Sequence, residues 1–384
     1  RRFGGFKKIY RNLEFCAKYG IRRQSLYPSP VFHKKKTVSI GIDMSEKALK
    51  GVLLEKQASG FSIASYTHCD IPIGVMSKQG IGDAKQLGDI MERAVRELQN
   101  GHLSHTIVSI ALPEPETFLT TLTIHTSLPD HSEKTLTPLI QEEIKQHIPL
   151  DPEHLVMDWQ IIEHTATSAT VVVAAAPHDL VNTFTSLFAS QRVIPCAFEI
   201  ESIAIARAII PLQTSLKNTM IIVDIGARRS GLSLAHGTTV HAAVSAPISS
   251  TSIIEAISTT TKISTQEAEK LLFSFGISPH LQAPKPYQRI VISAVHDLIT
   301  RIQDVIQFSQ AHLHQPPAQS ILLTGGGARI QGIAPYLAKE LGIVTQEADP
   351  LANITHSLSH PCPIPPHERH HFTTAIGLAL RNSL

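Results

Sequence analysis

The chain predicts an α/β fold made of two related halves, and three observations carry that expectation. An apolar strand that ends in Asp and runs into a tight turn occurs twice, in "SIGIDMSEKALKGVLL" and in "IIVDIGARRSGLSLA". Each opening leads through further strands into helices, so the whole unit repeats. A third turn, "LLTGGGARIQG", places three glycines between an apolar strand and a helix. With 384 residues, 42% hydrophobic and 17% charged, the chain is globular in composition and long enough for two lobes.

The elements follow in order. Residues 37–72 alternate as three strands, "TVSIGIDM", "LKGVLLEK" and "FSIASYTHCDI". In "DAKQLGDIMERAVRELQN", Leu87, Ile90, Met91, Ala94, Val95 and Leu98 form one apolar face at helical spacing. Strands "TIVSIAL" and "FLTTLTIH" flank the turn at Pro113 and Pro115. A helix over about 132–147 is stopped by Pro149, and "LVMDWQII" and "TSATVVVAAA" read as a strand pair. Residues 178–191 read as a helix, "VIPCAFEI" as a strand and 201–210 as a short helix. The second half reads as three strands from Thr219, helices near 249–260 and 265–275, and a long helix near 288–313. The strand–glycine turn–helix unit follows. A loop, "PCPIPPHERHH", leads to the last helix, "TTAIGLALRNSL".

Composition removes several function classes. No run of 18 apolar residues exists, so no membrane span is expected, and no signal-peptide core is visible at the start. Cys16, Cys69, Cys196 and Cys362 lie far apart, which argues against a zinc knuckle or a disulfide framework and for reduced thiols. Residues 1–36 carry eleven Lys or Arg against the single acid Glu14, while the remainder is mildly acidic. A nucleic-acid-binding core is therefore not expected. The basic head, with Phe3, Phe6, Ile9, Tyr10, Leu13 and Phe15 among its charges, reads as a flexible extension or as upstream sequence outside the mature protein. Its alternative is an anionic membrane surface. His367, His370 and His371 lack ligands at helical spacing and read as a polar loop.

The turns carry the candidate chemistry. Asp224 ends its strand, Gly226 permits a tight turn whose amides can face a phosphate, and Ser230 opens the returning strand with a hydroxyl. Gly325, Gly326 and Gly327 suit close backbone approach to a nucleotide. The order of the units, with a helix opening "EIESIAIARA" before the second hairpin, resembles the actin/sugar-kinase/chaperone ATPase superfamily. The stretch 118–162, containing "IQEEIKQHIP", resembles the inserted subdomain of the PilM family, the actin-like proteins of type IV pilus assembly. "FEIESIAIARAI", "VDIGARRSGLSLAHGTTV", "ISTQEAEKLLFSFGI" and "LLTGGGARIQGIAPYLAKELGI" are similar to segments of that family in the same order.

The resemblance implies two actin-like (ribonuclease-H-like) domains, each with a core and a smaller inserted subdomain. The first would span 37–212, with its insertion at about 104–176, and the second 213–384. It implies ATP with magnesium, the metal facing Asp43 and Asp224 mostly through water. The turns at Met44, Ser45, Glu46 and Lys47 and at Gly226, Ala227 and Arg228 would face phosphates, with Lys50 and Ser230 beside them. Gly325, Gly326, Gly327 and Arg329 would border the adenosine, and Glu269 and Lys270 would reach the ribose or base. Glu201 matches the acid that orients water in hydrolysing relatives, or else it caps its helix.

The first hairpin departs from the family. Ser45 stands where Gly is usual, and Glu46, Lys47 and Ala48 where hydroxyls are usual. At most weak ATPase activity is expected. The implied partner is the N-terminal peptide of a PilN-like inner-membrane protein, with self-association as a further contact. The implied place is the cytoplasm, peripheral to the inner membrane, in a type IV pilus or related type II secretion platform. Two alternatives share the fold. An FtsA-like filament protein would carry a C-terminal amphipathic tether, which "GLALRNSL" does not offer. A sugar or acetate kinase would need a base and sugar-binding residues, and "ALPEPETF" offers no such set.

Overall fold

The computed structural model describes residues 38–58, 60–77, 80–101, 106–126, 131–189, 193–212, 218–277, 284–313, 315–356 and 361–381. The expectations for residues 1–36, Cys16 included, lie outside the described residues. The first lobe opens with an antiparallel meander: β1 (Val38–Met44), β2 (Ala48–Gln57) and β3 (Gly60–Asp70). A small hairpin, β4 (Met76–Ser77) and β5 (Gly80–Ile81), precedes α1 (Ala84–Leu98). Asp83 caps α1 by accepting a hydrogen bond from the Gln86 amide, and the six apolar residues expected on one face are all buried.

Strand β6 (Thr106–Leu112) runs parallel to β1. Next come β7 (Phe118–His125), α2 (Glu133–Ile144), β8 (Leu155–His164) and β9 (Ser168–Pro177). Helix α3 (His178–Ala189) and β10 (Val193–Ile200) return to the first sheet, whose order is β10-β6-β1-β2-β3. Strand β6 thus sits in the first sheet, whereas β7, β9 and β8 do not. They extend the sheet of the second lobe.

That lobe follows α4 (Glu201–Ile209) and contains β11 (Thr219–Ile225), β12 (Ser230–His236), β13 (Thr239–Ala246), α5 (Ser250–Thr261), α6 (Thr265–Phe275), α7 (Lys285–Phe308), β14 (Ser320–Thr324), α8 (Ile333–Leu341), β15 (Val344–Glu347) and α9 (Thr373–Leu380). Its sheet reads β15-β14-β11-β12-β13-β7-β9-β8. The junction is narrow. One register pair, Ala243 with Leu119, joins β13 to β7, and the Thr121 hydroxyl donates to the His241 carbonyl at 2.8 Å.

Three details differ from the sequence reading. The glycine turn enters a single 3-10 turn, Gly326–Arg329, and α8 begins only after Gly332, whose φ of 81° resets the chain direction. Helix α7 starts at Lys285 behind Pro284 and gives way at Ser309 to a π-type turn. Strand β15 was not expected. Four half-polar residues are too few to show a period of two.

The lobes meet along α4 and α9, which touch backbone to backbone. A Cβ on Gly377 would overlap the Ala204 carbonyl, and one on Gly41 of β1 would overlap the Ala375 carbonyl and the Ala379 amide. A buried ion cluster fastens the same place. Arg207 donates to both Glu199 oxygens at 2.6 and 2.5 Å and to the Gly377 carbonyl at 2.9 Å, and Arg381 adds a bond to Glu199 at 2.6 Å. Asn353 Nδ2 donates to the Arg207 and Ile210 carbonyls at 2.9 and 2.7 Å and so closes the last turn of α4.

Burial pushes the Glu199 carboxyl up, but the two guanidiniums outweigh it and hold the group below its ordinary value of 4.5. Its stabilising share is present above about pH 4.5 and is lost as pH falls through the lowered folded value. Arg207→Met leaves Glu199 buried and short of its main partner. The variant should lose about 3–5 kcal/mol in urea unfolding at pH 7, and the deficit should shrink toward acid pH.

Candidate functional site

Strands β1 and β11 hold equivalent places at the centre of the two lobes, and both end at the same cleft. Asp43 and Asp224 stand one residue before those strand ends, paired in register with Lys50 and Gly231. The cleft has a volume of about 610 Å³. Both hairpin turns line it, together with Lys50, Glu114, Glu201 at the start of α4, Gly325, Gly326, His370, His371 and Thr374. On the first-lobe side it continues past Ser77, Gly80 and Ile81 to Asp179 and Thr183 of α3.

The two hairpins touch across the cleft. Glu46 pairs with Arg228 at 3.4 Å, and Lys47 Nζ reaches Thr251 Oγ1 at 3.5 Å. Within the turns, the Ser45 amide donates to the Ala48 carbonyl at 2.9 Å and the Gly226 amide to the Arg229 carbonyl at 3.0 Å. Those two N–H groups, expected to face phosphate, are spent on closing the turns themselves. Ser250 and Thr251 amides donate back to the Gly226 and Ala227 carbonyls and tie the second hairpin to the start of α5.

Four carboxyls, of which Glu114 is the most buried, share this space with Lys50, whose Nζ lies 3.8 Å from Asp43 Oδ2, and with Arg229, whose charge acts on Glu114. Burial raises Asp43 against the pull of Lys50. Burial pushes Asp224 up to about 6, with Lys50 opposing and Asp43 adding. Burial and the Asp224 charge push Glu114 up to about 8. Burial, then Asp43, Glu114 and Asp224, holds Glu201 well above the carboxylate range. His371 is pushed down to about 4 by burial and by Lys50 and Arg329, and it stays neutral. His370 Nε2 sits 2.6 Å from Glu347 Oε1.

The structure gathers some expected residues and separates others. Asp43, Met44, Ser45, Glu46, Lys47, Lys50, Glu201, Asp224, Gly226, Ala227, Arg228, Gly325 and Gly326 all line the cleft. Ser230 does not, because its hydroxyl is buried and donates to the Ile248 carbonyl at 2.8 Å. Gly327 packs on Ile225 of β11, and a Cβ there would overlap that side chain. Glu269 and Lys270 are exposed on α6, outside the cleft lining. Arg329 is exposed and its guanidinium lies 5.7 Å over the Phe273 ring of that helix. His370 and His371 do not form a polar loop. Both are drawn inward, and His371 packs on Gly326, where a Cβ would come within 2.7 Å of the ring.

Sequence reasoning passed over Glu114 and Thr374; Arg229, open in the sequence between a phosphate contact and an exposed hairpin tip, lines the cleft with Arg228. The available signal was an acid between two prolines, Pro113 and Pro115, directly after a buried strand. Among the described residues, no three His, Cys, Asp or Glu side chains converge as a metal-binding group.

A family model described as type IV pilus assembly protein PilM matches residues 41–383. A solved "PilM-PilN type IV pilus biogenesis complex" aligns at 18% identity with a TM-score of 0.75, covering 91% of this chain and 100% of that one. A MamK double helical filament aligns at 13% identity and a TM-score of 0.50, covering 90% and 99%. MreB 5 of Spiroplasma citri bound to AMPPNP aligns at 12% identity and a TM-score of 0.48, covering 83% and 93%. The first two likenesses show an actin-like fold. Among the described residues, no helix is long and apolar enough to cross a membrane.

The raised carboxyls have a consequence for stability. Glu114 goes from an ordinary value of 4.5 to about 8, and Asp224 from 3.8 to about 6. Across that window the folded chain holds more protons than the unfolded one, so stability falls as pH rises. Glu114→Gln removes its share of the loss. Its melting temperature should exceed that of wild type at pH 8.5 and approach it at pH 4.5, in melts without ligand.

Proposed function

The chain belongs to the type IV pilus assembly protein PilM family, and from that premise we propose that it is a nucleotide-binding actin-like scaffold of an inner-membrane assembly platform. Its partner would be the N-terminal peptide of a PilN-like membrane protein, and its place the cytoplasmic face of that membrane, in a type IV pilus or related type II secretion machine. The match across residues 41–383 carries this reading. The likeness to a PilM–PilN complex supports the choice of partner.

What supports nucleotide binding is the cleft. Two aspartates stand at equivalent strand ends, cationic side chains surround them, and Gly325 and Gly326 offer bare backbone beside them. ATP, when bound, would supply the polyphosphate and a magnesium ion carried with it. Asp43 and Asp224 would face that ion mostly through water, since the described residues offer no group of three ligands. Arg228 and Lys47 would turn from Glu46 and Thr251 toward the phosphates. The exposed set Glu269, Lys270 and Arg329 would meet the base or ribose only at the rim.

The same cleft is poorly equipped for hydrolysis. A general base acts in its deprotonated form, and burial among other acids raises Glu201 and so disfavours that form. Glu46 also competes with phosphate for Arg228. Turnover should fall well below the roughly 1–100 s⁻¹ of kinases.

Millimolar Mg-ATP should raise the melting temperature of the wild type, because a ligand that binds only the folded state stabilises it. Asp224→Ala and Gly326→Val should each remove the shift. Phosphate release should be slow and nearly unchanged in Glu201→Ala. A synthetic N-terminal peptide of a PilN-like protein from the same organism should bind in calorimetry. A fast rate that collapses in Glu201→Ala, or a peptide that does not bind, would overturn the scaffold reading.

A further inference from the structure

We propose that Glu114 is a positioning residue of the cleft: its carboxyl crosses from the first lobe into a notch that Gly231 leaves on the second, and so sets the lobe separation at which ligand is held. The assignment rests on the nucleotide reading above and names a residue that reading does not include.

The crossing begins from a rigid base. Glu114 follows β6 in a one-turn helix, Glu114–Glu116, with proline on either side. The Glu116 amide donates to the Pro113 carbonyl at 3.1 Å, and the Thr117 amide and hydroxyl both donate to the Glu114 carbonyl at 3.1 Å. These bonds fix the backbone from which the side chain leaves. It lies against β12, where a Cβ on Gly231 would come within 2.5 Å of Glu114 Oε2. Glycine within a strand costs stability and marks a close approach. Here what approaches is a carboxyl from the other lobe. Gly231 pairs in register with Asp224, so the notch adjoins the second aspartate of the cleft.

The other oxygen is the second observation. Glu114 is 7% exposed and lines the cleft, yet its Oε1 is buried with no hydrogen-bond partner among the described residues. Ser202 is near enough to favour the ionised carboxyl, but its hydroxyl completes no bond either. An orphaned buried carboxyl costs free energy. A hydrophobic side chain would fill the same space without that cost. The arrangement makes sense where the contact between the lobes outweighs that cost: the carboxyl fixes their separation, and with it the width of the cleft that Glu114 lines.

Small substitutions separate this role from packing. Gly231 has no left-handed backbone angle, so alanine fits the strand and displaces only the far end of a flexible side chain. Mg-ATP affinity by calorimetry should weaken about tenfold in Gly231→Ala and in Glu114→Ala. The double variant should be no weaker than either single one, since both remove the same contact. Glu114→Gln keeps the shape and should bind within about twofold of wild type. Ligand-free melts of each variant read folding separately. If Gly231→Ala does not fold, loss in Glu114→Ala with recovery in Glu114→Gln carries the test. Wild-type affinity in Gly231→Ala or Glu114→Ala, or losses that add in the double variant, would overturn the assignment while leaving nucleotide binding intact. No Mg-ATP binding by the wild type would overturn the nucleotide reading and this role together.

Discussion

The whole arrangement depends on a contact made almost without side chains. Helices α4 and α9 cross at backbone distance because Gly377, Ala204, Ala375 and Ala379 leave nothing between them, and Gly41 lets β1 press onto α9 in the same way. Close-packed interiors do not absorb an added methyl group there without moving backbone. Both helices begin at the cleft, so their crossing fixes where Glu201 and Thr374 stand. The Glu199–Arg207–Arg381 cluster locks the crossing electrostatically, and Asn353 closes the last turn of α4. Such a cluster adds little net stability over apolar packing, but it is costly to break and tolerates few alternative geometries.

From that crossing follows the electrical character of the cleft. Strand ends and a helix start bring Asp43, Asp224, Glu114 and Glu201 into one cleft, and Lys50 and Arg229 do not balance them. Protons do part of the balancing: Glu114, pushed up to about 8, is neutral at pH 7, and Glu201 is raised in the same direction. Neutral acids donate hydrogen bonds to anions rather than take protons from water. The departures in the first hairpin act in the same direction. A glycine–hydroxyl turn would present donors to a phosphate, whereas Glu46 presents an acceptor already joined to Arg228. Both features favour holding a ligand over transforming one.

Much of this was legible in the sequence, for identifiable reasons. The apolar face of α1 is a local pattern, and the structure keeps it. Two strands ending in Asp predicted two equivalent positions, and Asp43 and Asp224 do meet. What failed depended on side-chain direction across long sequence distances. Ser230 looked like a phosphate ligand, but the first residue of β12 turns inward and satisfies Ile248. Gly327 looked like a nucleotide contact, but its missing side chain serves packing on Ile225. The "HERHH" segment looked like a polar loop, since nothing local reveals that Glu347 and the Gly326 backbone would receive its histidines. Glu114 was invisible for the same reason, because its notch lies more than a hundred residues away.

The joint between β7 and β13 limits what the lobes can do. It makes one continuous sheet out of strands from both sides of the α4–α9 crossing, through a single register pair and the Thr121–His241 contact. His241 is buried there, and burial followed by the neighbouring His236 holds it at about 4, so it remains neutral and its ring can share a hydrogen bond with Thr121 at 3.2 Å. Only Pro113–Thr117 separates β6 from β7, so Glu114 of the cleft lies on the covalent link between the first sheet and this joint.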